Sequence, residues 1–306
     1  MRSITSFVLR LALVLCLVPA SAWAQPDAAC AQHYVGGVAP RIVKTSLLPR
    51  TQALCFKAYA LMHSGLSRTP LWSAEHLVRA NIEAATQLTR ANSFHAEQRV
   101  APADRAELAD YSRSGYDRGH MSPNGDMPDR SAQGESFSLA NMVPQIHANN
   151  AGVWAGIEGA ARRLALQEGE VYVVSGPAFI GREIASLNGR VLIPTHLWKV
   201  IYSPLQRRAG AYLITNDETK TYSSLSVSEL EKILGFNLLP SVSQQVRDAG
   251  MTLPAPSGKG SGRGTPSASK KGAPADDADS APAADYTVSD FARNALNAVL
   301  KTMNSR

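Results

Sequence analysis

The sequence predicts an α+β fold with an antiparallel central sheet flanked by helices. Two observations carry this. Short runs of β-branched, aromatic and apolar residues recur along the chain, closed by glycine, proline or polar turns. Among them stand two segments with helical periodicity, residues 148–169 and the stretch opened by Ser226. The chain's 306 residues, 44% of them hydrophobic, suffice for one large domain with tails.

The first residues stand apart from the fold. Arg2 and Arg10 flank a short start, and residues 11–19 form an apolar run too short to span a bilayer as a stable helix. Ala22-Trp23-Ala24 supplies a small-x-small cleavage pattern, so residues 1–24 read as a signal peptide and the protein as exported, periplasmic or secreted. Of the three cysteines, Cys16 falls in that segment and leaves Cys30 and Cys55 as an even pair. In an oxidising compartment the pair reads as a disulfide, which the chain-entropy argument values at roughly 3 kcal/mol. Two buried thiols are the competing reading. Cysteines this far apart, with no histidine ligand pattern nearby, do not make a zinc site.

The folded domain is expected over residues 25–250. Residues 25–50 are irregular, with Gly36-Gly37, Pro40 and Pro49. Residues 53–62 are apolar and aromatic, as in a buried strand. In 72–82 a second strand is expected, with Trp72, Ala74, His76 and Val78 on one face and Ser73, Glu75, Leu77 and Arg79 on the other. Residues 83–115 are polar and loop-like. Residues 116–121 lie between Gly115 and the turn signal Pro123-Asn124-Gly125, and 137–143 form a further strand before Pro144. In 148–169, Val153, Ile157, Ala160 and Leu164 fall on one stripe and Gly169 ends the helix. The local order is strand, loop, strand, helix.

Residues 171–174 form a β-branched strand closed by Gly176-Pro177, and 190–202 and 209–214 are strands joined by the basic turn Gln206-Arg207-Arg208. Ser226 with Glu229 three residues on is a capping box, followed by Leu230, Ile233 and Leu234 inside the helix. The globular part is expected to stop near Ala249. Residues 251–285 are rich in Gly, Ser, Pro and then Asp, and cannot bury enough apolar surface to fold. They read as a disordered linker. Residues 286–306 return to an amphipathic helical pattern with Phe291, Ala295, Leu296 and Leu300.

The formal charge of +6 favours polyanionic partners, nucleic acid or an anionic envelope polymer. The chemistry concentrates in Asp117-Arg118-Gly119-His120 and in Asn149-Asn150. Cleaving a phosphodiester requires a base for water, neutralised transition-state charge and a stabilised leaving oxygen. His120 suits the base, because an imidazole with an ordinary pKa near 6.5 is mostly neutral at pH 7. Asn150 offers an amide oxygen to magnesium, which prefers oxygen and keeps most of its waters. Either asparagine also suits a helix N-cap, and Asn149 is the nearer to that role. Glu158 lies on roughly the same helix face as Asn150; the plainer reading is an ion pair with Arg162. Arg118 and Arg90 are candidates to clamp phosphate. Asp117 is structural on this reading, and Gly119 makes room for close approach of backbone or substrate. The remaining histidines are structural or on the surface, with His147 the nearest to Asn149-Asn150.

Asp117-Arg118-Gly119-His120 resembles the DRGH signature of the DNA/RNA non-specific endonucleases, the ββα-metal or His-Me finger nucleases. That group includes secreted bacterial nucleases and mitochondrial endonuclease G. Asn141-Met142-Val143-Pro144-Gln145, then Asn150, Trp154 and Glu158, resembles the family's second block. Arg90-Ala91-Asn92-Ser93-Phe94 resembles its outlying arginine block, and the likeness spans about residues 50–245. The resemblance implies a ββα-metal unit with His120 activating water and Asn150 as the single direct protein ligand of Mg2+, for which Mn2+ could substitute. It further implies that Glu158 holds a metal-bound water, that Arg118 and Arg90 contact phosphate, and that Asn141 supports the site. DNA and RNA are the implied substrates, cut with little sequence preference. The rival readings are a protein that binds nucleic acid or envelope polymer without cutting it, and a small-nucleotide phosphodiesterase.

Overall fold

The computed structural model describes residues 28–256. The proposed signal peptide, most of the linker and residues 286–306 lie outside the described residues. The elements run β1 (Arg41–Ile42), β2 (Thr51–Cys55), β3 (Tyr59–Ser64), β4 (Thr69–Val78), α1 (Arg79–Thr86), α2 (Leu108–Tyr111), β5 (Asp117–His120) and α3 (Arg130–Ser136). There follow β6 (Met142–Gln145), α4 (Ala155–Glu168), β7 (Glu170–Ala178), β8 (Ser186–Leu187), β9 (Val191–Leu192), β10 (His196–Ser203), β11 (Arg208–Thr215) and β12 (Tyr222–Leu225). The last are α5 (Val227–Leu234), β13 (Phe236–Asn237) and α6 (Gln244–Ala249).

The α+β expectation holds. A seven-stranded sheet, ordered β12-β11-β10-β7-β4-β3-β2, is antiparallel at every pairing. Alternate residues serve its two faces. Trp72, Val174, Trp198, Val200 and Ala211 join Leu230 and Leu234 of α5 in one core. Leu77, Val173, Leu197, Ile201 and Ile214 join Trp154, Ile157, Ala161 and Leu164 of the α4 side in another. On this second face lies a ribbon of β5 and β6, outside the main sheet.

Several local expectations are corrected. Residues 53–62 are two strands, because the chain turns at Phe56, whose N–H donates to Tyr59 O at 2.9 Å. In 72–82 the strand ends at Val78 and α1 takes over. β4 lies between β3 and β7 and both its faces are covered, so Ser73 and Glu75 are buried as well as Trp72 and Ala74. Residues 137–143 are not one strand: Phe137 follows α3, Leu139–Asn141 make a 3-10 turn, and β6 starts at Met142 and takes in Pro144. Gly176-Pro177 does not close β7. A Cβ at Gly176 would lie 2.5 Å from Trp198 Cζ2 and 2.6 Å from Leu71 O, so glycine here lets the strands pack flat. Residues 190–202 divide into β9 and β10.

Residues 148–169 are helical, with a break. Asn149–Trp154 is π-helical around Gly152 (φ −105°, ψ −107°), and the regular helix α4 begins at Ala155. Gly169 closes it at φ +98°, as its sequence position suggested. The capping box forms in both directions: Glu229 N–H donates to Ser226 Oγ at 3.2 Å, and Ser226 N–H to Glu229 Oε2 at 2.8 Å. Ordered packing extends past Ala249. Met251 is buried and Tyr212 Oη–H donates to Pro254 O at 2.6 Å. Cys30 and Cys55 are joined in a disulfide with their Cα atoms 5.8 Å apart.

Candidate active site

β5 and β6 pair antiparallel, with Asp117 opposite Gln145, Arg118 opposite Pro144, Gly119 opposite Val143 and His120 opposite Met142. Strand alternation turns Arg118 and His120 to one face and Asp117 and Gly119 to the other. A proline is tolerated in β6 because this ribbon has free edges.

His120 is 7% exposed. Its ring lies edge-on to Phe137, 5.2 Å between centroids, and tilted against Phe94 at 5.8 Å. Phe94 and Phe137 meet edge to face at 4.8 Å. The Arg118 guanidinium sits 4.1 Å from the Phe94 centroid, and that of Arg90 5.1 Å from the Phe137 centroid. Cation–π attraction thus holds both arginines beside the histidine, and among the described residues neither is paired with an acid. Arg90 Nε–H donates to Asn92 Oδ1 at 2.7 Å, and the terminal N–H groups of the two guanidiniums are the ones suited to phosphate oxygens. The outlying arginine block therefore folds back onto the ribbon. Ser93–His95 is docked there by Leu139 N–H, which donates to His95 O at 2.8 Å.

Burial, reinforced by the positive charge of Arg90, pushes the His120 pKa down to about 3. The imidazole is neutral throughout the physiological range, and its Nε2 is buried without a hydrogen-bond partner. Its main chain is fixed from behind, where Trp154 Nε1–H donates to His120 O at 3.1 Å. That bond ties the general-base candidate to the segment carrying Asn150.

Asn150 stands in the π-helical turn. Its Nδ2–H donates to Asp117 Oδ2 at 2.9 Å, which leaves Oδ1 as the acceptor end. His147 Nδ1 contacts the same carboxylate oxygen at 2.9 Å. Asn149 is not a cap. It is fully buried, accepts from Gln145 Nε2–H at 2.7 Å and donates to Thr215 O at 2.6 Å. At Gly119 the close approach is from a side chain: a Cβ there would fall 1.9 Å from Gln145 Oε1.

Glu158 opens α4. Burial raises its carboxyl pKa to about 7, against the attraction of Arg162, Lys199 and Arg90, while Asp126 pushes it higher. Arg162 closes on Asp126 at 2.6 Å. The charge of Arg90 acts on both His120 and Glu158. Asn141 stands behind the site. It is fully buried; its Nδ2 donates to Ser122 O at 2.8 Å and Ser136 O at 3.0 Å, and its Oδ1 accepts from Ser122 N–H at 3.0 Å. It shapes the turn after His120.

Among the described residues no group of three His, Cys, Asp or Glu side chains could hold a metal. The donors on offer, Asn150 Oδ1 and the Glu158 carboxylate, are hard oxygens and few. They fit a cation that retains most of its waters.

Sequence reasoning missed the two phenylalanines and the polar layer beneath the ribbon. Ser73, Ser175 and Lys199 are in register across β4, β7 and β10. Lys199 is 1% exposed, donates to Ser175 Oγ at 2.6 Å and lies 4.8 Å from the Trp154 ring centroid. Ser73 Oγ meets Ser122 Oγ at 2.7 Å. The available signal was a lone lysine inside Leu197-Trp198-Lys199-Val200-Ile201, where a solvated charge would be out of place.

A buried neutral base flanked by two guanidinium groups acts on a phosphodiester, and the class that this fold and site define is a nuclease. Residues 38–245 match the family described as DNA/RNA non-specific endonuclease, and the chain belongs to that family of metal-dependent endonucleases. It is 33% identical over 200 residues to Nuclease C1 of Cunninghamella echinulata var. echinulata, covering 59% of this chain and 79% of that one. It is 33% identical over 218 residues to the human mitochondrial nuclease EXOG, covering 63% and 58%. A nuclease of Nostoc sp. is 30% identical over 235 residues, covering 70% and 83%. A solved structure of the EndoG/EndoGI complex superposes with a TM-score of 0.55 at 25% identity, over 63% of this chain and 88% of that chain.

Proposed function

We propose that the protein is an exported, magnesium-dependent endonuclease that hydrolyses both DNA and RNA with little sequence preference. The observation that carries the chemistry is the neutral His120 ring wedged between Phe94 and Phe137, whose faces hold Arg118 and Arg90. Arg118 and Arg90 bind the scissile phosphate and offset its growing charge. His120 accepts the proton of the attacking water, and its neutrality keeps that site open. Asn150 would hold the divalent cation directly and Glu158 a water bound to it, and manganese could substitute for magnesium. When bound, the cation supplies charge neutralisation at the phosphate and stabilises the leaving oxygen. Asp117 orients Asn150, while Trp154 fixes the main chain at His120 and Asn141 the turn just after it.

Contacts made to phosphate carry no sequence information, so both nucleic acids are cut broadly. The net charge of +6 supports binding that weakens with salt. Export rests on residues 1–24, and the Cys30–Cys55 disulfide suits an oxidising compartment. The test is cleavage of supercoiled plasmid and of RNA by the parent protein with magnesium, with EDTA and as His120→Ala. Cleavage abolished by EDTA and by the substitution is expected. Intact polymer with magnesium present removes the nuclease reading in favour of a binding protein. Turnover of a dinucleotide analogue alone would favour a small-nucleotide phosphodiesterase.

A further inference from the structure

The row Ser73, Ser175 and Lys199 crosses three neighbouring strands of the main sheet, β4, β7 and β10, and meets the turn that follows β5. Ser73 Oγ reaches Ser122 Oγ at 2.7 Å, and Lys199 Nζ donates to Met121 O at 3.5 Å. Met121 and Ser122 are the two residues after His120, and both are fully buried. Ser175 Oγ anchors the ammonium to the sheet at 2.6 Å. Its remaining neighbour is the Trp154 ring, with the centroid 4.8 Å away. The N–H of that same indole donates to His120 O at 3.1 Å. Lys199 thus meets the carbonyl of Met121 directly and that of His120 through one tryptophan. Two successive peptide groups at the base are held from one cation.

Packing alone does not account for a cation here. Lys199 is 1% exposed, and none of the ion pairs among the described residues includes it. An ammonium taken out of water with no acid in contact costs stability that an apolar side chain of the same length would not. What it gains is direction. Its three N–H donors serve a hydroxyl and a carbonyl while the charge faces the indole. A methionine would fill the space and hold none of the three in place.

We propose that Lys199 is a positioning residue for phosphodiester cleavage: it fixes the main chain of His120 relative to the helical segment that carries both Trp154 and Asn150. The inference rests on the nuclease reading. Lys199 acts through Met121 and Trp154. A shift of about 1 Å between reacting groups can cost on the order of a hundredfold in rate. The loss falls on the chemical step, because Arg118 and Arg90, which bind phosphate, are held by Phe94 and Phe137 instead.

The experiment measures kcat, KM and Tm of the full chain on linear duplex DNA with magnesium, for the parent, Lys199→Met, Trp154→Phe and the double variant. Lys199→Met is expected to lower kcat roughly 10- to 100-fold with KM unchanged. Its Tm should equal or exceed the parent's, a result that a merely structural role does not give. Trp154→Phe keeps a ring beside the ammonium and removes its N–H. The double variant should lose less in kcat than the two single losses multiplied, because both residues act on one turn. Should Lys199→Met fail to fold, Ser175→Ala decides: it frees the ammonium from its anchor and should lower kcat roughly two- to tenfold, the worth of one hydrogen bond. A kcat at the parent's level in Lys199→Met, a loss confined to KM, fully multiplicative losses, or an unchanged kcat in Ser175→Ala each overturns the proposal. An inactive parent instead defeats the nuclease reading, so the two failures are distinguishable.

Discussion

Asn150 donates its amide hydrogen to Asp117 Oδ2 at 2.9 Å, and that bond decides which end of the amide faces the site. A carboxylate accepts only, so a flipped amide would set oxygen against oxygen. Asp117 therefore acts through Asn150 and not on substrate. Asp117→Ala is expected to lower activity about 10- to 100-fold, as losing the partner of a metal ligand does, and to raise the magnesium needed for half-maximal cleavage. A magnesium titration of plasmid cleavage checks this. An unchanged half-saturation point would show that Asn150 keeps its orientation alone.

His120 links activity to acid stability. Its folded pKa of about 3 lies below the ordinary value of 6.5, depressed first by burial and then by Arg90. Between those values the unfolded chain binds the proton and the folded one does not. The stabilisation from the neutral ring is therefore present above pH 6.5 and is lost as pH falls toward 3. His120→Gln is expected to lose about 10²- to 10⁴-fold in kcat at pH 7.5. Its Tm should decline less than the parent's between pH 6.5 and 4. Parallel Tm curves for the two proteins would contradict the buried neutral imidazole.

The ribbon and the helix behind it were legible because their residues are close in sequence. Asp117 to His120 form one strand, Asn150 and Glu158 lie on consecutive helical segments, and local spacing survives folding. What stayed hidden depends on distant contacts. Phe94 and Phe137 become a platform only when the chain folds back across α3, and no periodicity announces that. Asn141 carries the right residue type for a site, yet all its polar atoms are spent on Ser122 and Ser136. Alternation set Glu75 on one face of a strand but could not show that both faces of β4 are covered.

Gly119 explains its own position by sterics alone. With a Cβ, residue 119 would overlap Gln145 Oε1 at 1.9 Å, and Gln145 is held in place by its bond to Asn149. Gly119→Ala should cost roughly 1–3 kcal/mol, the range of overpacking in a tight interior. It should also lower activity by moving His120, one residue on. Pairing it with Gln145→Ala opens the space, and both Tm and activity should partly recover. Failure of the pair to recover either would place the strain elsewhere.

Glu75 supplies the strongest test of the polar layer under the site. It is 1% exposed, and neither carboxylate oxygen has a hydrogen-bond partner among the described residues. Burial drives its pKa well above the ordinary range and the charge of Asp126 adds to this, with Lys199 opposing. The folded pKa is thus above the unfolded one. The associated stabilisation is complete below the unfolded value near 4.5 and is lost as pH rises through the folded pKa. Glutamine has the same shape and never ionises. Glu75→Gln is therefore expected to match the parent at pH 4.5 and to become progressively more stable than it as pH rises toward 8. Thermal melts across that pH range read the gap directly. A variant less stable than the parent by a constant amount at every pH would mean that Glu75 is held ionised by Lys199, and the layer would be an ion pair rather than a buried neutral acid.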